Sequence, residues 1–155
     1  MGNRAVITTN NNLNDTPLQS RADKMGIYLH WNGGRDSVEG FLAYCKLKKY
    51  RGPDEDESYC LARLTQVIAN FFDGGLSVGI GPLNKLDCDN YDNGVYVIGK
   101  NWEIVDRKYF EGNEQKEYGL LSCLREINKA QPQNEQLPDD ELVKCAMANS
   151  IKKGV

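Results

Sequence analysis

The chain has 155 residues, of which 40% are hydrophobic and 26% charged, with a net charge of −3. That is the size of one domain, long enough to bury roughly two thirds of its unfolded surface without a metal or disulfide staple. The composition excludes disorder, the short apolar runs exclude a membrane span, and 19 basic against 22 acidic side chains are too even for a charge-driven nucleic-acid binder.

Residues 4–9 (Arg4-Ala5-Val6-Ile7-Thr8-Thr9) are short and β-branched, a first strand. Residues 10–24 are polar and rich in turn formers, and read as a flexible surface loop. A second strand covers 26–31, alternating Ile27, Leu29 and Trp31 against Tyr28 and His30. The turn at Asn32-Gly33-Gly34 ends it, and a helix follows with Asp36 as N-cap and Glu39 completing an acidic capping box. Val38, Phe41, Leu42 and Cys45 give that helix one buried stripe, and Gly52-Pro53 stops it. Asp54, Glu55, Asp56 and Glu57 make a solvated acidic turn before a second helix over 58–72, closed by a glycine cap at 73–75.

Residues 76–80 read as a central strand. After the polar loop 86–94, a hairpin pairs 95–98 with 102–105 through the turn at Gly99-Lys100-Asn101. An amphipathic helix spans 114–129, and an acidic first turn at 139–141 opens a last helix reaching about residue 149. The order specifies a single α+β domain over 1–155, with a mainly antiparallel sheet of four to five strands and about four helices packed on it.

Five cysteines with no C-x-x-C spacing point to a reducing compartment, and no signal peptide opens the chain, so a cytoplasmic location is expected. Residues 94–101 nearly spell a P-loop, but strand formers lie between the glycines, Asn101 replaces the hydroxyl, and no helix follows. Asp87, Asp89, Asp92 and Asn93 crowd oxygen ligands, yet an EF-hand register puts Asp92 where glycine belongs and Ile98 where glutamate belongs. His30 is the only histidine, and with Ser37 or a cysteine it forms no nucleophile elbow. No catalytic residue, cofactor or metal is therefore expected. Lys46, Lys48, Lys49 and Arg51 end the first helix, where cations complement its dipole and the acidic turn offsets them. Trp31, Asn32, Gly33, Gly34 and Arg35 offer a strand end, a glycine turn, an arginine and a helix N-terminus, the parts of an anion-accepting corner, although a tight strand-to-helix turn with Trp31 in the core is the favoured reading of the same residues.

Residues 27–39, 66–72, 92–98 and 101–105 (among them Ile27-Tyr28-Leu29-His30-Trp31-Asn32-Gly33-Gly34-Arg35 and Asn101-Trp102-Glu103-Ile104-Val105) together resemble a group of small proteins. These are proteins of the prophages and integrative elements of Gram-positive bacteria. The resemblance covers about residues 4–118 and carries no catalytic motif. It implies a mobile-element setting, in which such proteins are often inhibitors of host defence. The function expected is a non-enzymatic inhibitor, an anti-CRISPR protein that binds a Cas nuclease and blocks DNA binding or cleavage. The alternatives are a binder that sequesters a nucleotide immune signal, or another antirestriction-type inhibitor. The partner-binding residues expected are Asp54, Glu55, Asp56 and Glu57 with Asp87, Asp89, Tyr91 and Asp92, since carboxylates beside a tyrosine suit an arginine-rich surface. The ligand-binding alternative places a small nucleotide at Trp31–Arg35. Neither a membrane partner nor direct nucleic-acid binding is expected.

Overall fold

Strand β1 (Ala5–Thr9) is buried along its whole length, and the other elements are arranged around it. The computed structural model describes residues 2–11, 23–73, 77–114 and 118–152, so most of the loop expected over 10–24 lies outside the described residues. On one side β1 pairs antiparallel with β2 (Met25–Leu29), which pairs antiparallel with β3 (Val78–Pro82). On the other it pairs parallel with β4 (Val95–Gly99), which pairs antiparallel with β5 (Glu103–Lys108). The result is one five-stranded mixed sheet, mostly antiparallel, in the order β3-β2-β1-β4-β5. With four α-helices it forms a single α+β domain.

The strand expected over 76–80 begins later and is not central. Leu76 lies outside the described residues, and β3 is an edge strand with Ile80 54% exposed. Its composition explains the position, since Pro82 cannot donate to a ladder and Gly79 and Gly81 bring no side chain to pack.

Helix α1 (Arg35–Leu47) starts from an extended Gly34, so Asp36 is in its first turn and is not the N-cap. The expected capping box is replaced by two separate contacts. Glu39 pairs with Arg35 at 2.8 Å one turn away, and Asp36 reaches across the fold. Helix α2 (Glu57–Phe71) is capped by Asp56, whose Oδ1 accepts from the amides of Ser58 at 3.1 Å and Tyr59 at 3.2 Å. The glycines expected to cap its other end at 74 and 75 lie outside the described residues.

Helix α3 (Leu120–Ala130) starts six residues later than expected, behind Gly119 at φ 81; Glu114 is not helical, and 115–117 lie outside the described residues. Helix α4 (Asp139–Lys152) packs on α3, where Arg125 holds Asp139 through two 2.9 Å hydrogen bonds. Among the described residues no helix is long and apolar enough to cross a membrane.

Both faces of the sheet are covered. On one, Ala5, Ile7, Ile27, Leu29, Tyr96 and Ile98 meet Phe41, Leu64, Ile68 and Leu124 of the helices. On the other, Val6, Val95 and Val97 meet Leu83, Cys88 and Leu86. The segment after β3 therefore covers the second face of the sheet, which its polar sequence conceals. Gly94 ends this segment at φ 66, where a Cβ would run into the carbonyl oxygens of Lys108 and Tyr109.

Candidate functional site

The expected partner-binding carboxylates fall into two sets at opposite ends of β1. Glu57 Oε2 accepts from Thr9 Oγ1 at 2.9 Å at the strand's end, and Asp92 Oδ2 accepts from Arg4 Nε at 2.8 Å at its start. Five residues of extended chain put about 17 Å between those ends, so the two loops make two surfaces. They also differ in what their carboxylates do.

In the first loop, two of the four acidic groups are structural. Asp56 caps α2, and the hydroxyl and amide of Ser58 with the amide of Tyr59 hold its carboxyl below the ordinary range. Glu57 is paired at 2.9 Å with the buried Lys24. Asp54 and Glu55 remain exposed.

In the second loop, Asn90 is fully buried and acts as an internal scaffold. Its Oδ1 accepts from the amides of Asp92 at 3.1 Å and Gly94 at 2.9 Å, while its Nδ2 donates to the carbonyls of Asp87 at 3.0 Å and Gly94 at 3.2 Å. Asn93 donates to Arg4 O at 3.0 Å. Arg107, stacked between the rings of Tyr96 and Phe110 at 3.9 Å from each, donates to Asn93 O at 2.8 Å and pairs with Glu114. The backbone of 87–94 is thus tied to β1, β4 and β5. From it Asp87, Asp89 and Tyr91 are exposed, Tyr91 to 88%, with Asp87 also paired with Arg4 at 3.6 Å.

Asp92 belongs to the support. It accepts from the backbone and the guanidinium of Arg4 at 3.0 and 2.8 Å. Burial pushes its carboxyl up, but the Arg4 hydrogen bonds and charge outweigh burial and leave it below the ordinary value. A carboxyl depressed by folding contributes stability above its unfolded pKa and loses it as pH falls through the folded one. Arg4→Ala should therefore lower the urea midpoint at pH 7, and the difference from the parent should narrow below pH ~4. A difference that does not change with pH would assign the loss to something other than this pair.

At the ligand-binding corner, the Gly33 amide donates to Asn3 O at 2.8 Å and its carbonyl accepts from Tyr96 OH at 2.7 Å. Arg35 is matched by Glu39 at 2.8 Å and Glu114 at 3.4 Å. Trp31 is 44% exposed and lies edge-on to His30, with ring centroids 5.2 Å apart. Asn32, at φ 57, turns its Nδ2 toward Ser37 Oγ at 3.4 Å. His30 Nδ1 meets Tyr28 OH at 3.0 Å, whereas Ser37 Oγ faces Cys123 Sγ at 3.7 Å, so histidine and serine belong to different contacts.

Burial raises the thiols: Cys45 well above its ordinary value, Cys60 to about 12 and Cys88 to about 11. Thiols held protonated at neutral pH are poor nucleophiles and poor metal ligands. Among the described residues no group of three or more His, Cys, Asp or Glu side chains is placed to hold a metal. The basic end of α1 is also partly matched, Lys48 by Glu135 at 2.8 Å and Arg51 by the Tyr59 ring at 4.5 Å.

Three further positions were not singled out from sequence. Asn90 had a signal in the run Cys88-Asp89-Asn90-Tyr91-Asp92-Asn93-Gly94, whose density of Asn, Asp and Gly is that of Asx turns. Arg107 meets Phe110 and Glu114 nearby in sequence, but its contacts to Tyr96 and Asn93, like that of the Tyr118 amide to Asp36, join separate segments and leave no local signal. No protein-family model, curated protein or solved structure matches the chain.

Proposed function

We propose that the protein is a non-enzymatic inhibitor of bacterial defence that docks on a partner protein through the loop from Asp87 to Asp92. The backbone of Tyr91 carries the partner-binding part of this reading. Tyr91 has φ 63, a left-handed conformation costing about 1–2 kcal/mol for a residue with a Cβ. The strain is kept in place by the buried Asn90 network, and what it achieves is to hold a large aromatic ring out in water. Six other described non-glycine residues share a positive φ, the buried Trp102 among them, so it is the pairing of that strain with an 88% exposed ring that points to a contact residue. Exposed tyrosines anchor protein interfaces.

The partner is one with an arginine-rich surface. Asp87 and Asp89 precede the ring in the same loop with exposed carboxylates, and carboxylates near a tyrosine complement guanidinium groups by charge and by cation–π contact. The DNA channel of a Cas nuclease is such a surface, and the resemblance to proteins of mobile elements supplies that setting.

Co-purification with Cas effectors and a DNA-cleavage assay test the reading. Tyr91→Gly relieves the backbone strain, offset by about 0.5–1 kcal/mol of glycine flexibility in the unfolded chain. This variant should be as stable as the parent or up to about 1 kcal/mol more so, yet bind its partner at least ~30-fold more weakly, the loss of one interface anchor. Asp87→Lys with Asp89→Lys should slow association and reduce its salt dependence, while Asp54→Lys with Glu55→Lys at the other end should leave binding intact. Full inhibition by Tyr91→Gly would overturn the assignment of the site.

Sequestration of a nucleotide is the second reading, and one observation favours it. A groove of about 720 Å³ between α1, α3 and α4 is lined by Arg35, Arg125 and Tyr118, which is 67% exposed. That volume suits a nucleotide and Tyr118 offers a stacking ring; both arginines are ion-paired and Asp36, Glu39 and Glu126 also line the groove, so a phosphate must displace those pairs. Cyclic and ADP-ribose-type nucleotides should then raise the melting temperature, and flat curves across the panel would remove this reading.

A further inference from the structure

Helices α1 and α3 touch where Gly40 faces Ile127: a Cβ added at Gly40 would lie 2.8 Å from Ile127 Cδ1. One turn earlier the facing residues are Ser37 and Cys123, both small, and space remains between the helices. Phe71, from the end of α2, closes one side, with its ring edge-on to Phe41 and the centroids 5.4 Å apart. The result is a cavity of about 130 Å³ with a floor of Phe41, Phe71, Cys123 and Ile127 and a polar wall of Asn32 and Ser37. Tyr118, Ser122 and Glu126, all exposed, form its mouth.

We propose that this cavity is a binding site for a neutral monocyclic aromatic molecule carrying a hydroxyl group, a ligand of the phenol class. Size sets the ring count, since an apolar cavity of about 150 Å³ holds one benzene. The floor provides two aromatic rings and an aliphatic side chain. The wall provides the hydrogen-bonding partner: Asn32 Nδ2 reaches Ser37 Oγ only at 3.4 Å, a long contact that a ligand hydroxyl can replace or join. Charge selects against acids, because Glu126 stands at the mouth and, among the described residues, neither lysine nor arginine lines the cavity. The site is separate from the Asp87–Asp92 loop and does not depend on partner binding there.

The test is titration of the ¹⁵N-labelled full chain with phenol, benzene and benzoate, read by amide shifts. Phenol should give saturable shifts centred on Phe41, Cys123 and Ile127, about fivefold tighter than benzene, the worth of one net hydrogen bond. Benzoate should give none. Ser37→Ala and Asn32→Ala, which leave the floor intact, should bring phenol down to the affinity of benzene. Cys123→Phe, which fills the space, should abolish binding of both. No saturable shift with either phenol or benzene overturns the proposal. So does benzoate binding as well as phenol, or a phenol advantage unchanged in both wall variants.

Discussion

Asp36→Ala should destabilise the protein by on the order of 3 kcal/mol, with a melting temperature lower by roughly 10 °C. The carboxylate is buried and accepts three backbone hydrogen bonds: from its neighbour Ser37 at 2.9 Å, from Tyr118 at 2.8 Å and from Gly119 at 2.9 Å. The last two belong to the start of α3, whose own N-cap is a glycine with no side chain to offer. Asp36 is therefore a cap lent by α1 to α3, and it places a negative charge where the α3 dipole is positive. Alanine leaves these amides without their acceptor, and bonds to a charged group are each worth more than neutral ones. Asp36→Asn keeps one carbonyl and should lose about 1 kcal/mol. Urea unfolding gives the totals, and hydrogen exchange should show Tyr118 and Gly119 losing protection first. A loss for Asp36→Ala below about 1 kcal/mol would mean that water replaces the carboxylate at little cost.

The same residue shows how far local sequence could be read. Asp36 and Glu39 satisfy the spacing of a capping box, and a helix does begin there, so the element was legible. Its cap was not, because a partner 82 residues away in the chain competes for the Asp36 carboxylate. Where a cap is satisfied locally, as Asp56 is by Ser58 and Tyr59, the signal lies within three residues and could be recognised. Its neighbourhood misled only in looking wholly solvated.

Strand β3 fails in a related way. Leu76 to Ile80 has the apolar content of an inner strand, but the edge position follows from Gly79, Gly81 and Pro82 taken together. The polar run 86–94 looked like a single exposed loop, while alternate residues do different work. Cys88 and Asn90 turn inward, one to the second core and one to a hydrogen-bond network, and Asp87, Asp89 and Tyr91 turn outward. Composition gives the average of such a segment, and only the fold sorts its members. The candidate site was thus legible as a stretch of chain, but not as the three groups within it that face solvent.

Lys24→Ala should cost about 2–3 kcal/mol, because a buried stem and its hydrogen bonds are lost while Glu57, 29% exposed, is left to water and Thr9. Lys24 is 2% exposed, and its ammonium donates to Glu57 Oε2 at 2.9 Å, to Thr9 Oγ1 at 2.6 Å and to the carbonyl of Asn11. Those partners come from α2, from the end of β1 and from the segment just after it, so one side chain joins three parts of the chain at the entrance to β2. Lys24→Met keeps most of the apolar stem and removes the charge, which isolates the electrostatic share of the loss. A double-mutant cycle with Glu57→Gln should give a coupling of 1–3 kcal/mol between the two positions. Additive losses would instead mean that Lys24 matters for its stem and for Thr9, and that Glu57 is held by the hydroxyl alone. The cycle also bears on the two acidic loops. If Lys24 neutralises Glu57 in the folded protein, the loop at this end presents only Asp54 and Glu55 to a partner. Lys24→Met should then raise the local negative charge and leave the proposed binding through Tyr91, at the opposite end of β1, unchanged.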